Sequence, residues 1–273
     1  MNDIKLIAID MDGTLLNSKN QLTDRTFNAI NKAQEKGVKV VIATGRVLKS
    51  ALHYSKELNL DSYVSACNGA IVVDEFSTPV LKKPIGKGDL EKVMELGHSL
   101  GIYFHFYNED TFFTKTLVQE VIDYYTPTTK KFQSQAIGIK IYDKISDIVS
   151  IGDLSIYKFL FIDNDKDKLK ILREKLVDMD TIDISSSWNN NIEVMAKGAS
   201  KGNSIEYLCN QFGISRSQVM AIGDNENDLS MIKYAGFGVA MENGEDVVKK
   251  AAKYITASNE EDGVAKAIEK FVL

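Results

Sequence analysis

Cysteine, histidine and proline are scarce in this chain of 273 residues, which has 2, 3 and 3 of them. Cys67 and Cys209 lie far apart and form no C-x-x-C, and only His53, His98 and His105 offer imidazole, so a disulfide frame or a zinc site has little material. Both cysteines are expected in the core. An excess of basic charge is also missing: 33 Lys and Arg against 38 Asp and Glu leave a formal charge of −5, spread along the chain, with no footprint for nucleic acid. Apolar runs such as "VVIA" at 40–43 are far too short to span a bilayer. The first residues, "MNDIKLIAID", carry an acid ahead of the first base and no signal-like apolar region, so a cytoplasmic protein without a membrane partner is expected.

What is present is ordinary for a folded protein: 44% hydrophobic and 26% charged residues, with 18 glycines. The length suits two domains of about 150 residues, or one large α/β unit with an insertion. The first part alternates. "KLIAID" reads as a buried strand, 24–36 as an amphipathic helix bearing Phe27, Ile30 and Ala33, Gly37 as its stop, and "VKVVIA" as a second strand. Leu48, Ala51, Leu52, Ser55 and Leu58 have helical spacing, "YVSAC" reads as a third strand, and Asn68-Gly69 as a hairpin signal leading into "IVVD". Beyond residue 84 the texture changes to helices near 89–100, 117–125 and 166–177 among the strands "IYFHFY", "TFFTK", "IGIKIY" and "SIYKFLFID". From 191 the alternation resumes with "IEVMA", helices over 200–212, 226–235, 245–252 and 260–271, and the strands "VMAIGD" and "FGVA". The expected fold is α/β: a doubly wound parallel-sheet core over 1–83 and 191–273, with an inserted α+β cap over 84–190.

In such a sheet ligands bind beyond the carboxyl ends of the strands. Four of these ends carry polar residues that suit a common ligand. They are Asp10 and Asp12; Thr44, Gly45 and Arg46; Asn68 and Gly69; and Asp224, Asn227 and Asp228. Lys201 opens the helix before the last of them. Clustered acids with a lysine and a threonine fit a phosphoryl group held beside a divalent cation, and hard oxygen ligands suit Mg2+.

D-x-D-G-T-L at 10–15, A-T-G-R at 43–46, S-K-G at 200–202 and G-D-x-x-N-D at 223–228 stand in the order of the motifs of the haloacid dehalogenase superfamily. The chain most resembles its Cof-type phosphatases, as "NGA" at 68–70 and "NEEDGV" at 259–264 also do. The resemblance implies that Asp10 is the nucleophile and forms an aspartyl-phosphate, with Asp12 as acid and base. By the same resemblance, Asp224, the Asp10 carboxylate, the Asp12 main-chain carbonyl and Asp228 would serve the Mg2+. Thr44, Lys201 and Asn227 would hold the phosphoryl oxygens, with Gly45, Arg46 and Asn68 beside them. The implied partner is a small phosphorylated metabolite such as a sugar phosphate. The rivals are a phosphosugar mutase on the same core and a silent metabolite-binding regulator, against which the second acid at residue 12 argues.

Three decoys need a reading. Asp163, Asp165, Asp167 and Glu174 match EF-hand positions, but Lys168 stands where glycine is needed and a strand precedes, so an acid-rich helix start is expected. "GFG" at 236–238 lacks the third glycine of a dinucleotide fingerprint, where Met241 stands. "YFHFY" at 103–107 puts Tyr103, His105 and Tyr107 on one strand face, which could line a sugar site but for which sheet packing is the favoured use.

Overall fold

Strand alternation sets the layers of the molecule. The computed structural model describes residues 3–57, 62–119 and 137–273. In β1 (Leu6–Ile9), Leu6 and Ala8 face one side and Ile7 and Ile9 the other, and none is exposed, so both faces must be covered. Helices α1 (Asp24–Glu35) and α9 (Gly263–Phe271) cover the Ile7 side through Ile30, Ala33 and Ile268. On the Leu6 side, α6 (Lys201–Phe212) and α7 (Leu229–Tyr234) pack through Ile205, Leu208 and Met231.

The sheet has eight strands in the order β14-β13-β12-β1-β2-β3-β4-β5. From β14 (Tyr254–Ile255) and β13 (Phe237–Ala240) through β12 (Val219–Gly223), β1 and β2 (Lys39–Ala43) to β3 (Tyr63–Ala66), all pairs are parallel. β4 (Ile71–Val73) and β5 (Pro79–Lys82) follow antiparallel. Helices α2 (Leu48–Glu57) and α8 (Asp246–Ala251) complete this unit. β1 has β2 on one side and the late strand β12 on the other, so the strand order reverses at β1 and opens a crevice at its carboxyl end.

A second sheet stands over that crevice. It contains β6 (Tyr103–Tyr107), β7 (Thr111–Thr114), β8 (Gly138–Ile141), β9 (Lys158–Ile162), β10 (Ile182–Ser185) and β11 (Asn191–Ala196), in the order β10-β11-β9-β6-β7-β8. All its pairs are antiparallel except β7 with β8. One face carries Phe104, Phe106, Phe159, Phe161 and Val194 and is buried under α3 (Lys87–Leu100), α4 (Ile145–Val149) and α5 (Lys166–Val177) through Val93, Ile148 and Leu172. The opposite face, with His105, Lys158, Leu160 and Glu193, turns to the first sheet.

Several expectations change. "IEVMA", expected to reopen the α/β core, is β11 of the second sheet: it pairs antiparallel with β9 and β10. A buried apolar run reads alike in either sheet, so local pattern does not say which one takes it. β5, β10 and β14 are additional strands. The helix expected over 226–235 is a 3-10 turn, Glu226–Asp228, running into α7, and the one over 260–271 begins only at Gly263, after Asp262 at φ 57°. Leu58 and residues 120–125 of the helix expected near 117–125 lie outside the described residues. The EF-hand decoy resolves as expected, with Asp165 capping α5 by accepting from the amides of Asp167 and Lys168. Among the described residues no helix is long and apolar enough to cross a membrane.

Candidate active site

A strand that is apolar on both faces can take acids only where it ends, and Asp10 is the first residue past β1. The residue is 5% exposed, and its carboxylate accepts a hydrogen bond from Lys201 Nζ at 2.5 Å. Lys201 is the first residue of α6, behind the Ser200 cap whose hydroxyl accepts from the Asn203 amide, and it is fully buried. Its ammonium also donates to Asp228 Oδ1 at 2.6 Å. The other Asp228 oxygen accepts the main-chain amides of Asp224 and Asn225, at 2.9 and 3.0 Å, so this residue shapes the turn after β12. Asp224 accepts from the Thr14 hydroxyl at 2.7 Å and from Asn225 Nδ2 at 3.0 Å. Gly13, at φ +81°, lies so close that a Cβ there would stand 2.5 Å from Asp224 Oδ2, and an L side chain would also resist that backbone angle.

Carboxylate oxygens of Asp10, Asp224 and Asp228 fall within 4.8 Å of one another. Burial, then the charge of Asp228, holds Asp10 well above the usual carboxylate range despite Lys201. The same two causes push Asp224 up to about 7. For Lys201, burial works against the ammonium, but Asp10 and Asp228 outweigh it and raise its pKa. With all three ionised, these carboxylates around one ammonium would carry a formal charge of −2; burial disfavours that state on its own, and one divalent cation would supply the balancing charge. Hard oxygen donors on two loops fit Mg2+ by chemistry as well as by charge.

The Asp12 carboxylate points elsewhere. Arg46 forks onto it with Nε and Nη2 at 2.8 and 2.5 Å, while its guanidinium lies over the Tyr54 ring at 4.1 Å. Arg46, expected beside the phosphoryl group, thus pairs with the second acid in this structure. Thr44 is buried after β2, its hydroxyl accepting from the Arg46 amide. Asn68 sits in a turn where Cys67, Asn68 and Gly69 all have positive φ, and a Cβ on Gly69 would stand 2.2 Å from the Ser200 carbonyl oxygen. Its amide donates to Glu193 Oε2 at 2.7 Å and its oxygen accepts from Asn227 Nδ2 at 3.1 Å. Asn68 therefore ties the two sheets together.

Several of these residues line a cavity of about 220 Å³. Asp10, Asp12, Gly45, Arg46, Asp224 and Asn227 line it from below, and Lys158, Leu160, Ser187, Trp188 and Glu193 from above. Tyr103 and His105 do not line it. His105 is buried beside Tyr107, which packs with Val47, Phe112 and Leu160, so this strand face serves packing. Thr14, Lys158, Glu193, Ser187 and Trp188 are site residues that motif reading missed. The signals were there for Lys158 and Glu193: one charge inside each of the apolar runs "YKFLFI" and "IEVMA".

The family model of the haloacid dehalogenase-like hydrolases matches residues 7–268. A 5-amino-6-(5-phospho-D-ribitylamino)uracil phosphatase of Bacillus subtilis is 36% identical over 271 residues, covering 99% of this chain and 97% of its own. A phosphoglycolate phosphatase of Methanobrevibacter smithii is 30% identical over 275 residues, covering 99% and 100%. Among solved structures, a haloacid dehalogenase-like hydrolase from B. subtilis superposes with a TM-score of 0.89 at 29% identity, over 99% of this chain and 100% of that one. A sugar phosphatase of haloacid dehalogenase subclass IIB superposes with 0.82 at 25% identity, over 98% of each chain. The chain belongs to the haloacid dehalogenase-like hydrolase family and, within it, to the Cof-type phosphatases.

Proposed function

We propose that this phosphatase is a Mg2+-dependent phosphomonoesterase of the cytoplasm, acting on small hydroxyl-bearing phosphorylated metabolites, sugar phosphates among them, through an aspartyl-phosphate. The observation that carries the reading is the buried trio Asp10, Asp224 and Asp228 around Lys201, of which Asp10 and Asp224 line the cavity. Residues 84–196 act as the cap, a span that includes β11.

Lys201, Thr44 and Asn227 hold the phosphoryl oxygens, because charge spread over three oxygens is best met by fixed donors. One Asp10 oxygen attacks phosphorus in line with the leaving oxygen and forms the acyl phosphate. In this structure both Asp12 oxygens accept from Arg46; released from that fork and protonated from water, Asp12 gives its proton to the leaving alcohol and later takes one from the attacking water, whose attack on phosphorus breaks the bond to Asp10 and releases orthophosphate. Mg2+ would be held by Asp10, Asp224, Asp228 and the Asp12 carbonyl, and would supply charge neutralisation that lets carboxylates approach a phosphate. The cap walls exclude bulk water, and their polar groups Lys158, Ser187 and Glu193 suit a hydroxylated leaving group. The ribityl phosphate derivative named for one relative is of this class, and phosphoglycolate, named for the other, is a small phosphomonoester that carries a carboxylate instead of free hydroxyls.

The test is orthophosphate release from a panel of sugar, polyol and carboxylic-acid phosphates, with Mg2+ and after chelation. Turnover that needs Mg2+ and no bisphosphate primer is expected. A primer requirement would point to a mutase, and silence over the whole panel to a binding protein.

A further inference from the structure

The face of the second sheet that meets the core carries a buried ion pair. Lys158 and Glu193 are 3% and 1% exposed and 2.7 Å apart, on the neighbouring strands β9 and β11. Around them this face carries Leu160, Tyr107, Phe112 and His105, and the Ser185 and Ser187 hydroxyls donate to Glu193 at 3.3 and 3.2 Å. A buried pair in such a setting is weak as a stabiliser, since apolar residues of the same volume would serve as well or better. What it provides is directed bonds. Lys158 Nζ donates to the Gly45 carbonyl at 2.5 Å, in the loop between Thr44 and Arg46. Glu193 Oε2 accepts from Asn68, which in turn accepts from Asn227, and the Asn227 amide donates to the carbonyl of Ser186 in the cap at 3.1 Å. Asn68 has φ 55° and ψ 36°, between Cys67 and Gly69 that are also left-handed, a conformation that persists only where contacts hold it.

We propose that Glu193 is a positioning residue. With Lys158 as its counterion, it holds Asn68 so that Asn227 stands ready for the phosphoryl group, and it does so only while the cap is seated. Cap closure and assembly of the phosphoryl site are then one event. A leaving group that keeps the cap from seating would bind yet turn over slowly. This rests on the reading of Asn227 as a phosphoryl holder.

The experiment compares two charge-neutral variants, Lys158→Met with Glu193→Gln and Lys158→Met with Glu193→Leu. Both lose the Lys158 bond to Gly45, and only the first keeps an acceptor for Asn68. With p-nitrophenyl phosphate and Mg2+, kcat of the leucine form should lie about 10-fold to 100-fold below that of the glutamine form, with KM within about 3-fold, as expected for a displaced catalytic group. The inhibition constant for orthovanadate should rise in proportion, while that for orthophosphate should hold. Equal kcat in two folded variants, or a loss confined to KM, overturns the proposal. Should the leucine form not fold, Glu193→Asp, which keeps the charge but withdraws the carboxylate by about 1.5 Å, must lower kcat and leave KM. An unchanged kcat there also overturns it. An inactive wild-type protein would instead contradict the phosphatase reading beneath it.

Discussion

The two sheets bury charge in opposite ways. Beyond the strand ends of the eight-stranded sheet, Asp10, Asp224 and Asp228 face one Lys201, an unbalanced group that needs a further cation. Inside the strands of the six-stranded sheet, Lys158 and Glu193 are one to one and complete in themselves. The core cluster is thus built to receive something, and the cap pair to hold something in place. Asp12 and Arg46 form a third, balanced pair between them, with side chains 40% and 9% exposed, where a leaving group would enter.

The largest effects should come from the unbalanced cluster. Asp10→Ala removes the atom that bonds phosphorus, so turnover of every phosphoester, aryl or alkyl, should vanish. Chelation should do the same reversibly, and Mg2+ should raise the melting temperature of the wild-type protein but not of Asp224→Ala, following binding linkage. A melting curve and activity that ignore chelator would contradict the charge argument.

Gly13→Ala should come next. It forces a Cβ onto the Asp224 carboxylate at an unfavourable φ, so stability should fall by about 1–3 kcal/mol and the Mg2+ concentration for half-maximal activity should rise. Denaturant unfolding with and without Mg2+ measures both parts.

The balanced pair should give the smallest effect. Burial works to raise the Glu193 pKa, but Lys158 outweighs it and holds the carboxyl below the usual glutamate range. A depressed native pKa gives stability that is full above the unfolded-state value and is lost as pH falls below about 4.5 and through the native one. The Lys158→Met, Glu193→Gln form lacks this group, so its melting temperature should fall less than that of the wild type over the same acid range. Parallel curves would show that the pair is not linked to stability.

The same contrast explains what could be read in the residues before the structure. Asp10, Thr44, Asn68 and Asp224 were legible because each follows a short apolar run at a place where a buried strand must end. The core order was legible because strands and helices alternate there. β11 was not: "IEVMA" is apolar enough for either sheet, and only its antiparallel partners β9 and β10 decide. The Arg46 fork on Asp12 joins residues 34 apart, and the Asn68 bridge to Glu193 spans 125, so neither leaves a mark in local spacing. The His105 face serves the packing favoured for it, although a strand face that alternates polar and aromatic residues looks the same whether it lines a cavity or packs beneath one.

The division of labour between Asp10 and Asp12 is the central claim, and Asp12→Ala tests it most directly. An alkyl leaving group needs the proton that Asp12 gives, a contribution of roughly 10² to 10⁴ in rate, whereas p-nitrophenolate departs with little help. Alanine is preferred because an asparagine before Gly13 can deamidate back to aspartate. Rapid mixing of this variant with p-nitrophenyl phosphate and Mg2+ should give a burst of nitrophenol, a slow steady state, and a phosphoryl adduct on the peptide carrying Asp10. No burst and no adduct in a folded, Mg2+-loaded protein, with sugar and aryl phosphatase activities lost equally, would contradict it.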